Sequence, residues 1–380
     1  MTATVVLIGT LDTKGVEYDF IRRQIDDIGT CSVILIDVGL RSNDKTKPTP
    51  DISSKAIIQA AKDDDKTLEE HQLSKTEAFN LMTKGLTLKL NELYEFNRLH
   101  GILALGGSCG TAVVSDAMQQ SKILPIGLPK LIVSTVASSS NAYTAVGISD
   151  ATLMHSVTDI GGGINRINEP ILANAAVAIA AMASRYYSST VQEKEATINA
   201  PPLIALTMFG VTTPCVTEAK KQLEELGYDT VVFHATGTGG RAMEHLIASG
   251  SINGVLDITT TELADELVGG ILSAGPKRLE IAAKKGLPQV VSLGALDMVN
   301  FGPRDTVPEK FRSNRLLHEH NVQVTLMRTT SDECAQLGEI IAKKLNQNQG
   351  SNPIPIFIPR GGISLLSGTS LSSLNFTIFH

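Results

Sequence analysis

At 380 residues, 42% hydrophobic and 19% charged, the chain has the composition of a globular protein and the length for two cores, which excludes a mainly disordered chain. A net charge of −6 with no Lys/Arg block excludes a basic footprint for duplex nucleic acid or an anionic membrane surface. Cys31, Cys109, Cys215 and Cys334 lie too far apart for a metal-ligand spacing and read as reduced thiols. The opening MTATVVLIGT lacks the basic region and apolar length of a signal peptide or membrane span, so a cytoplasmic chain without membrane partners is expected.

Short β-branched runs follow in order: TVVLIG, CSVILIDVG, GILALGG and PKLIVST, each leading through a Gly or Thr turn into a helical pattern. That alternation predicts a parallel sheet with crossover helices. In GVEYDFIRRQIDDIG, Phe20, Ile21, Ile25 and Ile28 fall near one face and Gly29 is the expected C-cap. An Ala-rich helix, EPILANAAVAIAAMASRYY, closes a first domain over residues 1–188. The polar SSTVQEKEATINAPP has no period and reads as a linker over 189–202. LIALTMFGVTTPCVTEAKKQLEELG then restarts the pattern, with further strands at DTVVFHATG, GVLDITT, QVVSLG, VQVTLMR and IPIFIP. The second domain is expected over 203–364, with 365–380 as an atypical tail. The fold class is therefore α/β, two Rossmann-like three-layer domains with mainly parallel sheets.

The strand in LALGGSCGTA delivers Gly106, Gly107, Ser108, Gly110 and Thr111 to the carboxyl edge of the first sheet. Glycines let backbone N–H groups approach an anion, and the helix that follows adds its positive end. The pattern is neither G-x-x-x-x-G-K-[ST] nor G-x-G-x-x-G. Gly106-x-Ser108-x-Gly110 also matches a nucleophile elbow, for which Asp150, Asp159 and His155 stand downstream, and a ligand-free tight turn is the third reading. IGTLDTKG brings Gly9, Thr10, Asp12, Thr13 and Lys14 to the same edge, a set suited to phosphate with or without Mg²⁺, or to a capped helix with a solvated lysine. Asp37 can hold a ribose hydroxyl or end its strand. Thr135, Val136, Ala137 and Ser138, with Ser134, Ser139 and Ser140, form either a third wall or an ordinary serine-rich loop.

In the second half, VFHATGTGGRAMEHL repeats the strand, glycine loop and helix. Its backbone donors and Arg241 suggest a second site for a small anion, with His234 as acid/base or core histidine. Asp257 follows a strand; Thr259 and Glu262 fit a capping box, and Asp265 and Glu266 read as a solvated face. Asp297, Asn300 and Arg304 in SLGALDMVNFGPR suggest a loop folding over a ligand, and Arg360 in FIPRGG suits an anion. The alternatives to a nucleotide-binding protein are a hydrolase or transferase on a small anionic substrate, using His234, Arg241 and Asp297, and a regulatory interaction module.

The strings GTLDTKG, ALGGSCGT, STVAS, TMFGVTTPCV, VFHATGTGGRAMEHLI, GVLDITTTELADELVGG, GALDMVNFGPR and IPRGG span Val5 to Ser364. Together they resemble the family of uncharacterised bacterial, fungal and plant proteins that includes the N-terminal inhibitory region of the tobamovirus resistance protein, an ATP-binding domain family. The resemblance implies two α/β domains, a homodimer, and ATP held by Gly9 to Lys14, Gly106 to Thr111 and Thr135 to Ser138. This favours phosphate over the elbow. Three departures stand out: Cys109 replaces the family's usual glycine, Leu293 a usual proline, and the chain ends in ISLLSGTSLSSLNFTIFH where relatives continue into further helical sequence.

Overall fold

In a computed structural model the described residues are 2–41, 47–64, 74–121, 123–139, 146–196 and 200–367, and the chain divides into two compact units, 1–199 and 200–380. The first unit contains β1 (Ala3–Gly9), α1 (Leu11–Ile28), β2 (Cys31–Asp37), α2 (Ser54–Asp64), α3 (Lys75–Glu95), β3 (Gly101–Gly106), α4 (Ser108–Gln120), β4 (Lys130–Ser134), β5 (Thr152–His155) and α5 (Asn168–Ala196). Its five strands are all parallel in the order β2-β1-β3-β4-β5. Alternate residues of each strand feed opposite faces: Val5 and Leu7 pack with Ile21 and Ile25 of α1 and Ile179 of α5, while Val6 and Ile8 pack with Met82 of α3 and Val114 of α4. This is the expected three-layer arrangement. Gly29 caps α1 in the left-handed region, its N–H on the Ile25 carbonyl. Ile28, expected on the buried face, is 39% exposed at the helix end.

The second unit contains β6 (Leu203–Met208), α6 (Thr213–Glu225), β7 (Asp229–His234), α7 (Thr238–Ser249), β8 (Gly254–Thr259), α8 (Thr261–Val268), β9 (Gln289–Gly294), β10 (Met298–Phe301), β11 (Leu317–Asn321), β12 (Val324–Arg328), α9 (Ser331–Leu345) and β13 (Ile356–Phe357). Its parallel sheet runs β13-β9-β8-β6-β7, which is the order of the first sheet read from the other side. The two halves thus share a strand order although they share no short repeat.

Three features differ from the expectation. VQVTLMR is a strand, but it lies in a separate antiparallel sheet, β10-β12-β11, whose two flanking strands carried no clear alternation in the sequence. The polar stretch read as linker is helical as far as Ala196, because Gln, Glu, Lys and Ala favour helix without needing an apolar stripe. Residues 365–367 of the tail seat on the second unit: Leu366 is buried against Val211, Ala295 and Met298, and the Leu365 amide donates to the Val211 carbonyl. Residues 197–199 of the expected linker and 368–380 of the tail lie outside the described residues.

Candidate functional site

In the order β2-β1-β3-β4-β5 the chain leaves β1 toward one side and β3 toward the other, so the carboxyl ends of these neighbours diverge. Open α/β sheets bind ligands at such a switch point. The Tyr18 hydroxyl wedges into the divergence, accepting from the Leu105 amide at 2.6 Å and reaching the carbonyls of Ile8 and Leu105. Burial pushes this phenol's pKa above its ordinary value, so it stays a neutral donor. A Cβ on Gly9 would stand 2.0 Å from the Tyr18 oxygen. Gly9 therefore makes room for the phenol.

Thr10 is the N-cap of α1 but its side chain makes no capping bond; its hydroxyl meets that of Thr13 at 3.0 Å. The carboxylate that takes the Leu11 amide is Asp37, at 3.1 Å, and the same oxygen accepts from Gly39 at 2.9 Å. Asp37 is buried and holds the helix start from the neighbouring strand, which accounts for it without a ribose. Asp12 accepts from the Arg41 amide at 3.2 Å through one oxygen, while its other oxygen is buried without a partner. Lys14 leaves helical geometry (φ −130°), with Nζ 3.4 Å from the Thr13 hydroxyl. A cavity of about 610 Å³ opens beside this turn, lined by Asp12, Thr13, Arg41, Lys47, Gly161 and Gly163 among others.

At β3 the glycine loop opens α4 with Gly107 as N-cap, so no N-cap side chain bonds the first-turn amides of Ser108, Cys109 and Gly110. Among the described residues, a Cβ placed on Gly107 would meet only the Thr135 hydroxyl, at 3.8 Å. Thr111 and Ser134 share a hydroxyl hydrogen bond of 2.7 Å, and the Thr135 amide donates to the Gly106 carbonyl. The structure thus joins Gly106–Thr111 and Thr135–Ser138 into one wall; Ser140 lies outside the described residues. Ser138 Oγ is 3.3 Å from His155 Nε2.

The nucleophile elbow is not assembled. Ser108 is the first residue of α4 and does not sit at positive φ, so it lacks the strained turn that presents such a serine. Asp150 pairs with Lys130 at 2.7 Å where β4 begins, at the opposite edge of the sheet. Asp159 folds back on the Ile160 amide.

Sequence reasoning missed a fourth segment of this edge. After β5, six residues carry the chain from His155 past the ends of β4 and β3 to Gly161, beside the first turn of α1. Ile160 is buried under this crossing, and the amides of Gly161 and Gly163 donate to one oxygen of the buried Glu17, at 3.0 and 2.8 Å. Three successive glycines closely following a strand were the available signal.

In the second unit the corresponding chemistry is internal. The amides of Gly237 and Gly240, expected to await an anion, donate to Glu262 Oε1 at 2.7 and 3.1 Å. Glu262 Oε2 accepts from Arg278 Nε at 2.7 Å, and Arg278 is bidentate on Asp257 at 2.6 and 2.7 Å. All three side chains are buried. The capping box is not formed: Thr260 is the cap residue, and Thr259 bonds instead to Thr207 and Thr212. Asp265 is likewise buried, not solvated; it accepts from Asn300 Nδ2 at 2.7 Å, and burial raises its pKa to about 6. A helix face of carboxylates is solvated only if nothing packs on it, and here β10 and Arg278 do. Only Glu266 of that trio is exposed.

His234 is exposed at the end of β7, its ring edge-on to Phe209 at 5.7 Å, and Arg241 reaches the Ser273 carbonyl at 3.4 Å. Asp297 is buried behind β9, accepting from Arg328 at 3.1 Å and Ser364 at 2.7 Å, with burial raising its pKa. β6 and β8 stand between β7 and β9, so the carboxyl ends of β7 and β9 are roughly 14 Å apart at the usual strand spacing, with His234 at the end of the first and Asp297 three residues beyond the second. Asn300 is a buried strand residue and Arg304 pairs with Glu319 at 3.2 Å, so SLGALDMVNFGPR is core and small sheet rather than a ligand flap. Arg360 is exposed after β13. A second cavity, about 620 Å³ and lined by Ile204, Tyr228, Leu287 and Ile354 among others, lies at the amino edge of this sheet, away from every predicted residue. Among the described residues no group of three or more His, Cys, Asp or Glu could hold a metal, and no helix is long and apolar enough to cross a membrane.

Residues 3–188 match the N-terminal domain, and residues 201–373 the C-terminal domain, of the Uncharacterised protein family (UPF0261). The chain is 45% identical over 366 residues to a UPF0261 protein of Clostridium tetani, covering 96% of this chain and 86% of that one. It is 40% identical over 374 residues to the ToMV resistance protein Tm-1 of Solanum lycopersicum, covering 95% of this chain and 48% of the tomato protein, so it spans about half of that relative. Among solved structures, UDP-GlcNAc 2-epimerase from Neisseria meningitidis bound to UDP-GlcNAc aligns over 76% of this chain and 82% of that one, at 10% identity and a TM-score of 0.28.

Proposed function

The chain belongs to the UPF0261 family, and from that membership and the geometry of its first domain we propose that it is a nucleotide-binding protein whose ligand is ATP. The observation that carries this reading is a contrast between two glycine loops at helix starts. In the second domain the loop at Gly237–Gly240 is filled by the Glu262 carboxylate. At Gly106–Thr111 the loop has a glycine where a capping side chain would stand, and among the described residues only the Thr135 hydroxyl comes near it, 3.8 Å from where a Cβ on Gly107 would be. A helix start that the protein fills itself needs no ligand; one left open favours an anion.

In this reading the triphosphate lies on the amides of Ser108 to Gly110 with Lys14 as its point charge, and Thr135 and Ser138 take the nucleoside side. Mg²⁺ brought by the nucleotide would be held by the unpartnered oxygen of Asp12 with the hydroxyls of Thr10 and Thr13, and would offset the charge of the phosphates. ATP as the particular nucleotide, a homodimer and a cytoplasmic location rest on the family resemblance. Asp297 is buried and taken up by Arg328 and Ser364, which supports binding over small-molecule turnover in the second domain.

Thermal unfolding with ATP, ADP and Mg²⁺ tests the proposal. A ligand at one hundred times its Kd stabilises the folded state by about 2.7 kcal/mol, and Gly107→Val and Lys14→Ala should each abolish the shift while Ser108→Ala keeps most of it. A folded protein that responds to no nucleotide would refute it.

A further inference from the structure

The crossing from His155 to Gly163 carries features that holding the fold together does not explain. Val157 sits at φ 63°, a conformation that β-branched residues avoid, and the Thr158 amide bonds the Ser156 carbonyl across it at 2.6 Å, closing a positive-φ γ-turn. That turn leaves Val157 65% exposed, so the strain is not offset by burying the isopropyl group. The Thr158 hydroxyl beside it is buried with no partner. Both ends are nevertheless fixed: the Ser156 amide donates to the Ser134 carbonyl, Ile160 is buried, and Glu17 holds Gly161 and Gly163. A strained exposed residue on a firmly tied strap is the pattern found where backbone is held in place for a ligand.

We propose that this strap is the nucleoside wall of the first-domain site, with Val157 contacting the heterocycle and His155, beside Ser138, facing the ribose. The inference rests on the nucleotide reading and extends it to residues outside the three loops. Strand spacing of 4.7–4.9 Å puts the end of β5 roughly 10 Å from the end of β3, comparable with the length of a nucleoside. A phosphate at the glycine loop of β3 therefore leaves the base at β5. The other end of the strap returns to the phosphate side, where a Cβ on Gly161 would lie 3.7 Å from Lys14 Nζ.

Calorimetric titration of the full chain with MgATP and with inorganic tripolyphosphate separates the two readings. The unsubstituted protein should bind both. Val157→Gly, which suits the positive φ, should weaken MgATP by about tenfold, the scale of losing one aliphatic contact, and leave tripolyphosphate within about twofold. His155→Ala should behave in the same direction, and Val157→Asn, also tolerant of positive φ, guards against an effect peculiar to glycine. Unchanged MgATP affinity in these variants, while Gly107→Val loses it, overturns the strap and leaves the nucleotide site standing. Equal loss of both ligands in Val157→Gly also overturns it, since the strap would then only support the fold. Binding of neither ligand by the unsubstituted chain overturns both readings.

Discussion

Glu262→Ala tests the claim that the second domain supplies its own anion. The substitution strips an acceptor from Gly237 N, Gly240 N and Arg278 Nε, at 2.7, 3.1 and 2.7 Å. Removing one partner of a buried ion pair costs about 3–5 kcal/mol, because the other charge is left buried. Arg278 keeps both bonds to Asp257, and the loss of one of three carboxylates around a single guanidinium relieves repulsion, so the lower end, about 3 kcal/mol, is expected. The vacated position keeps two amides and a guanidinium N–H, so formate should return about 1.4 kcal/mol at ten times its Kd. Peptide-resolved hydrogen exchange over residues 229–268 is the suitable assay, since it reads the second unit by itself. A loss below about 1 kcal/mol with no response to formate would refute the reasoning.

Val157→Gly should stabilise the ligand-free protein by about 1 kcal/mol, the strain of a β-branched residue at positive φ less the entropy cost of glycine, readable as a higher Tm; a lower Tm would show the turn is not strained. For Asp265, a folded pKa of about 6 against a reference of 3.8 means the folded state holds the proton more tightly. Its contribution is therefore present below pH 4 and is lost as pH rises through 6, by about 3 kcal/mol. Asp265→Asn should flatten that slope in urea titrations between pH 4 and 6.5, its amide pairing with Asn300, whose side-chain oxygen is buried without a partner; an unchanged slope counts against the buried acid. Tyr18→Phe leaves the Leu105 amide without its hydroxyl partner and should cost about 1–3 kcal/mol by urea unfolding, with weaker nucleotide binding because the ends of β1 and β3 lose their wedge.

Strand and helix order was legible because period and punctuation are local: TVVLIG or GILALGG can bury both faces only in a covered parallel sheet, and the turns after them must then gather at one edge. GTLDTKG, ALGGSCGT and STVAS were placed at that edge by this logic alone. Which polar groups remain available there is not local. Glu262 and Asp265 read as ordinary helix acids until Arg278, the glycine loop of α7 and β10 close over them, and Asp37 reads as a ribose partner until the Leu11 amide is found on it. Nor did any pattern disclose that Val157 would be held at positive φ, since that depends on anchors at Ser134 and Glu17, far apart in sequence. The sequence by itself determined two parallel sheets and the edge where their turns gather, because hydrophobic period and strand polarity are properties of short segments. Only the tertiary structure decided which helix start is filled by the protein's own carboxylate and which stays open, because a buried charge is satisfied by whichever partner the fold brings within 3 Å.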